Sequence, residues 1–236
     1  MPSPAAYHPP RPTATAATVL LAVTGAATVF SLIAGIRLHG AAGDLPADVT
    51  LATSDSTAFT DAQALYRHAS QIHLVALLAS TVTFILWFYR VRVNAERFDP
   101  HGHRLKRGWT IGAWFTPVAA LWLPQQIAAD TWRASTRPDE SGVRPALAPA
   151  LLKLWWATLW ATIVVNRLGA QFYGQAHYPD TYQEAIGWLT ASDLLELAAA
   201  VLAILVVRKL TALQEQRATE SVTRAYGTPA QTTRNS

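Results

Sequence analysis

At 236 residues, with 51% hydrophobic residues, only 14% charged residues and a positive mean hydropathy, the chain has too little polar material to cover a soluble globule of its size. Ordinary soluble domains carry roughly 25% charged residues. The net charge of +4 comes from basic residues that flank apolar runs instead of forming a stripe on a soluble face, which argues against a nucleic-acid partner. With no cysteine, disulfides, thiolate metal sites and haem attachment through CxxCH are excluded.

The proline-rich residues 1–13 read as a disordered tail. An uncharged run from Ala14 to Ile36 follows, longer than the roughly 7 to 15 residues of a signal-peptide core, so a retained first span over about 14–37 is expected instead of a cleaved leader. Ala27, Ser31 and Gly35 stand four apart on it, a small-residue stripe that would let another helix, including one of a second copy, approach closely. Residues 39–59 hold Asp44, Asp48 and Asp55 with no Lys or Arg and read as a polar loop. Thr60 and Gln63 have the spacing of a capping box, placing a helix start there. The helix continues into a second span over about 69–89.

The most basic segment is Arg90–Arg107, with an Asp99-Pro100-His101-Gly102 turn signal at its centre. Next comes WTIGAWFTPVAALWLPQQIAAD, long enough to cross a bilayer and uncharged until its last residue. Counted as a crossing, it leaves eight basic residues inside and eleven outside. If it enters and leaves on one side, or lies in the interface, sixteen fall inside and three outside, the asymmetry that membrane proteins favour. Pro117 and Pro124, each costing about 3 kcal/mol in a regular helix interior, point the same way. So do Trp109, Trp114, Trp122 and Trp132, since tryptophan prefers the headgroup boundary. A Pro-kinked fifth span is the competing reading. A hydrophilic connection over 133–149 leads to a third span over about 151–168, with Trp155, Trp156 and Trp160 as boundary anchors beside Lys153. A last span over about 186–207 is stopped by Arg208 and Lys209, and residues 211–236 form a polar tail that begins as a polar helix, TALQEQRATESVTR, and ends disordered.

The expected architecture is therefore an all-α membrane protein. Four transmembrane helices form one domain over 14–210, with a broken re-entrant or interfacial segment at 108–130 and both termini cytoplasmic. The residues from Trp87 through WFYRVRVNAERF to RGWTIGAWFTPVAALWLPQQIAADTWRAS resemble an actinobacterial multi-pass membrane family, domain of unknown function 4328, over roughly Tyr66 to Leu210. The resemblance implies a bacterial inner-membrane location and carries no activity, ligand or catalytic residue.

Chemistry is best placed on the last span, where Asp193 and Glu196, three apart, share a helix face. Acids inside a span are costly and face partners in the bundle. His73, Asn166 and Arg167 belong to the same half of the membrane, with Gln71, Arg37 and His39 near them. A protonation or cation site is one reading of this group, and an ion-paired network fixing helix register is the other. Arg90, Arg92, Arg104, Lys106 and Arg107 are candidate contacts to anionic lipid headgroups, and His101 and His103 read as a solvated turn. No nucleophile elbow, phosphate loop or dinucleotide fingerprint occurs, and no cofactor or metal site is expected. The reading that follows is a non-enzymatic binding, regulatory or scaffold component, with the bilayer and a protein partner or second copy as partners. A small proton- or cation-coupled transporter or channel using Asp193 and Glu196 is second, and an enzyme acting on a lipid-borne substrate is third.

Overall fold

The computed structural model describes residues 9–137 and 150–226, which contain six α-helices and no strand. Helix α1 is Arg11–Gly43, α2 Thr57–Phe98, α3 Trp109–Phe115, α4 Leu123–Ser135, α5 Ala150–Gln175 and α6 Pro179–Tyr226. Single 3-10 turns at Leu51–Thr53 and Ala119–Leu121 complete the regular structure among the described residues.

Helix ends follow local chemistry. α1 takes in Arg11, Pro12 and Thr13, because proline is tolerated in a first turn whose N–H groups have no helical partner. The Ala14 N–H and the Thr13 hydroxyl both donate to the Pro10 carbonyl. α2 starts three residues ahead of the Thr60 expected from the capping-box spacing. Ser56 Oγ accepts the Phe59 N–H at 3.3 Å, while the Thr60 hydroxyl bonds back to the carbonyls of Ser56 and Thr57. The helix then runs past Arg90 and ends before Pro100, whose ring disfavours a helical residue ahead of it. α6 continues through Arg208 and Lys209 with no interruption, since both are good helix formers.

Three helices, α1, α2 and α6, are long and apolar enough to cross a membrane, which suggests a membrane protein. This corrects the expectation of four. The 151–168 run lies within α5, whose 26 residues give ample length, but Lys153, Asn166 and Arg167, with Trp155, Trp156, Thr158, Trp160 and Thr162, dilute its apolar character. The sixteen-to-three charge count depended on a fourth crossing and does not stand without it.

The described residues sort into two compact units, one within Thr15–Phe84 and Ala150–Val207, the other within Met1–Ala14, Ile85–Pro149 and Arg208–Ser236. In the first, here the span unit, α1 and α5 run antiparallel to α6, and α2 parallel to it. Residue pairs Gly35–Thr190, Gly25–Leu197 and Gly169–Leu189 fix the close approaches. A Cβ on Gly169 would stand 3.1 Å from the Leu189 backbone nitrogen, so glycine there sets how near α5 comes to α6. Leu38, Ala42, Phe59, Tyr182 and Ile186 form a buried cluster. Trp155 and Trp156 are buried against each other and Phe84, with ring centroids 5.7 and 5.5 Å apart, so they are core residues and not the boundary anchors expected.

In the second, the basic unit, residues 109–135 are broken where the prolines stand: α3 ends before Pro117, and α4 takes Pro124 into its first turn. A buried polar layer joins α2, α4 and α6. Gln214 Nε2 donates to the Val91 carbonyl at 2.7 Å and to Ser135 Oγ at 3.1 Å, and Gln214 Oε1 accepts from Asn94 at 3.3 Å. The Trp87 indole donates to Thr211 Oγ1 at 3.1 Å.

Candidate functional site

In the span unit the sequence candidates converge in part. The His73 ring Nε2 on α2 lies 2.8 Å from Glu196 Oε1 on α6, and both side chains are largely buried, 17% and 16% exposed. Asp193, one turn earlier on α6, is more deeply buried at 8%. The Ser31 hydroxyl of α1 lies against its carboxyl group, with Tyr66 of α2 nearby. Asn166 of α5 donates to Ser192 Oγ at 3.2 Å, and Ser192 in turn donates to the Leu189 carbonyl. Helices α1, α2 and α6 thus contribute to one polar cluster, whose core is a charge-capable imidazole and carboxylate in hydrogen-bond contact, while the Asn166 contact ties α5 to α6 separately.

Arg167 does not join it: the side chain is exposed, and no ion pair to it occurs among the described residues. Gln71 and Arg37 are exposed as well. His39 sits nearer the helix ends, where its ring faces the Gln183 carbonyl at 3.2 Å and its own carbonyl accepts from Gln183 Nε2 at 3.1 Å. The small stripe of Ala27, Ser31 and Gly35 is buried inside the unit against α6 and α2, so it serves this chain's own packing and offers no face to a second copy.

A hydroxyl cluster escaped the sequence reading. Tyr173 and Tyr182 share a hydrogen bond of 2.9 Å across the turn between α5 and α6, and Gln63 Nε2 approaches Tyr182 at 3.5 Å. Only the nearness of two tyrosines to the His177-Tyr178-Pro179 turn could have signalled it.

The basic unit places the headgroup candidates unevenly. Arg92 is 2% exposed and spent internally, donating to Glu96 and to the Leu105 carbonyl at 2.7 Å each, so it is corrected from a headgroup contact to a core residue. Arg107 pairs with the same Glu96. Arg104 grips Asp130 in fork geometry, Nη2 to Oδ1 at 2.9 Å and Nε to Oδ2 at 3.2 Å, and Arg133 adds a second cation. Arg104 and Arg107 nevertheless keep about half their side chains exposed, at 56% and 48%. Lys106 is exposed, and Arg90 reaches the Pro9 carbonyl at 3.4 Å.

Burial alone would raise the Asp130 carboxyl, but the hydrogen bonds from Arg104 and Arg133 outweigh it and hold the group below its ordinary 3.8. The same contact raises Arg104. His103 is half-buried and not the solvated residue expected. Burial, then the nearby Arg92 cation, holds its ring below the ordinary 6.5 against the pull of the Ala95 carbonyl, Glu96 and Asp130. No cluster of three or more His, Asp or Glu side chains arranged to hold a metal occurs among the described residues.

A family model described as a domain of unknown function, DUF4328, matches residues 50–212. No curated protein and no solved structure matches the chain.

Proposed function

The chain belongs to the DUF4328 family, a domain of unknown function, and since that membership names no activity we propose from the geometry that it is a non-enzymatic binding or regulatory component of a bacterial inner membrane. In this reading the basic segment Arg90–Arg107 faces the cytoplasm, and the His73–Glu196 pair is a latch that sets the register of α2 on α6. The supporting observation is the 2.8 Å contact between His73 and Glu196. The flanking polar groups also find partners within the unit, Asn166 with Ser192 and Ser31 with Asp193. Groups satisfied by one another rigidify a bundle, whereas a transport site needs groups that can change partners.

A proton-coupled carrier is the second reading. It draws on one observation: the cluster sets two carboxyl groups, Asp193 and Glu196, against a single imidazole. Reconstitution into liposomes with an entrapped pH dye separates the two. The latch predicts no protein-dependent proton flux and a lowered unfolding temperature for Glu196→Gln in micelles. A flux present in the wild type and abolished by Glu196→Gln at unchanged stability overturns the latch.

A further inference from the structure

The basic unit carries an apolar rim that its own fold leaves uncovered. Around the Pro117 break, Trp109, Ile111, Phe115, Val118, Leu121 and Trp122 are all exposed, Phe115 by 74% and Val118 by 65%. Thr110, Ala113 and Ala119, interspersed among them, are buried. The segment is thus seated by its small residues and by Trp114, whose ring stands edge-on to Phe88, and turns its other large residues outward, the reverse of what a water-facing surface does.

Charge identifies the occupant. From Arg104 to Ala129 the chain has no acid, and the rim follows directly on Arg104, Lys106 and Arg107. Over residues 90–137 eight cations (Arg90, Arg92, Arg97, Arg104, Lys106, Arg107, Arg133, Arg137) stand against three acids (Glu96, Asp99, Asp130). Internal pairing neutralises Glu96 and Asp130 and leaves Lys106 and the outer faces of Arg104 and Arg107 exposed just ahead of the rim. Tryptophan and phenylalanine next to surplus cations match the boundary of an anionic leaflet, where rings enter the acyl edge and cations meet phosphates. A two-fold contact with a second copy would set the same cations against each other. The apolar helices α1, α2 and α6 supply the bilayer in the same molecule. We propose that the α3 rim around Pro117 docks in the headgroup region of an anionic lipid leaflet, with Phe115 and Val118 inserted and Lys106, Arg104 and Arg107 on the phosphates.

The chain's lack of cysteine makes the test direct. Phe115→Cys, Val118→Cys and, as a water-facing control, His101→Cys are each spin-labelled in the full chain and reconstituted in nanodiscs of phosphatidylcholine with phosphatidylglycerol. Labels at 115 and 118 are expected to relax with oxygen and resist an aqueous nickel chelate, at a depth of about 5–10 Å below the headgroups, while the label at 101 does the reverse. The depth at 115 and 118 is expected to decrease when phosphatidylglycerol is omitted or Lys106→Gln is added. Nickel access at 115 equal to that at 101 overturns the proposal. So does burial at the bilayer centre, an unchanged depth without anionic lipid, or shielding accompanied by spin–spin broadening that vanishes on dilution with unlabelled chain, the mark of a second copy.

Discussion

Individual side chains do most of the specification in this molecule. Glu196→Gln keeps the volume but weakens the contact to His73, and polar contacts between membrane helices average about 0.6 kcal/mol with a maximum near 1.7. A loss of about 1 kcal/mol in unfolding free energy in micelles is expected, and no change would count against the latch. Gln214→Leu should cost more, about 1 to 3 kcal/mol, because it removes the buried hydrogen bonds of Gln214 to Asn94, the Val91 carbonyl and Ser135 at once. Acid should act through Asp130 and His103. Both are held below their ordinary values when folded, so both contribute stability above 3.8 and 6.5 respectively and lose it as the unfolded chain takes up protons more readily. Glu96, held below its ordinary 4.5 against burial by Arg107 and Arg92, acts in the same sense. Unfolding temperature is therefore expected to fall in two stages, first as pH drops below 6.5 and again through the carboxylate range below 4.5, with His103→Gln removing the first and Asp130→Asn reducing the second. At this scale the acids of α6 and His73 were legible, since a titratable group in an apolar run stands out. Ser31, Ser192 and the Tyr173–Tyr182 pair were not, because hydroxyls enter apolar helices at little cost and leave no mark in the pattern.

Helices show where sequence pattern misleads. The break around Pro117 and Pro124 was readable, because proline removes a donor wherever it stands. The continuity of α6 was not, because Arg208 and Lys209 end an apolar run without ending a helix. Backbone amides of residues 206–213 are expected to be protected in hydrogen exchange as strongly as those of residues 198–205, and fast exchange confined to 208–210 would show a hinge instead. Helix spacing is equally exposed to test. In Gly169→Val the new side chain would collide with Leu189, including its backbone nitrogen at 3.1 Å from the Cβ, and must push α5 off α6. Overpacking of this kind costs about 1–3 kcal/mol, whereas Gly174→Ala, with open space around the Cβ, should be near neutral.

For the whole molecule, composition alone indicated an all-helical chain suited to a bilayer, and three apolar helices agree with that. The number of spans was misjudged because α5 has the length of a span while Lys153, Asn166 and Arg167 lower its apolar character. What unites the span unit is a small set of polar contacts in an otherwise apolar bundle, with the small residues Ser31, Gly35 and Gly169 bringing the helices close enough for them to form. The central claim is that His73 and Glu196 act as one unit joining α2 to α6. A double-mutant cycle of His73→Ala and Glu196→Gln, read by unfolding in micelles, tests it most directly. The account predicts a coupling of about 1 kcal/mol, the second substitution costing little once the first is made. Strictly additive losses would contradict it.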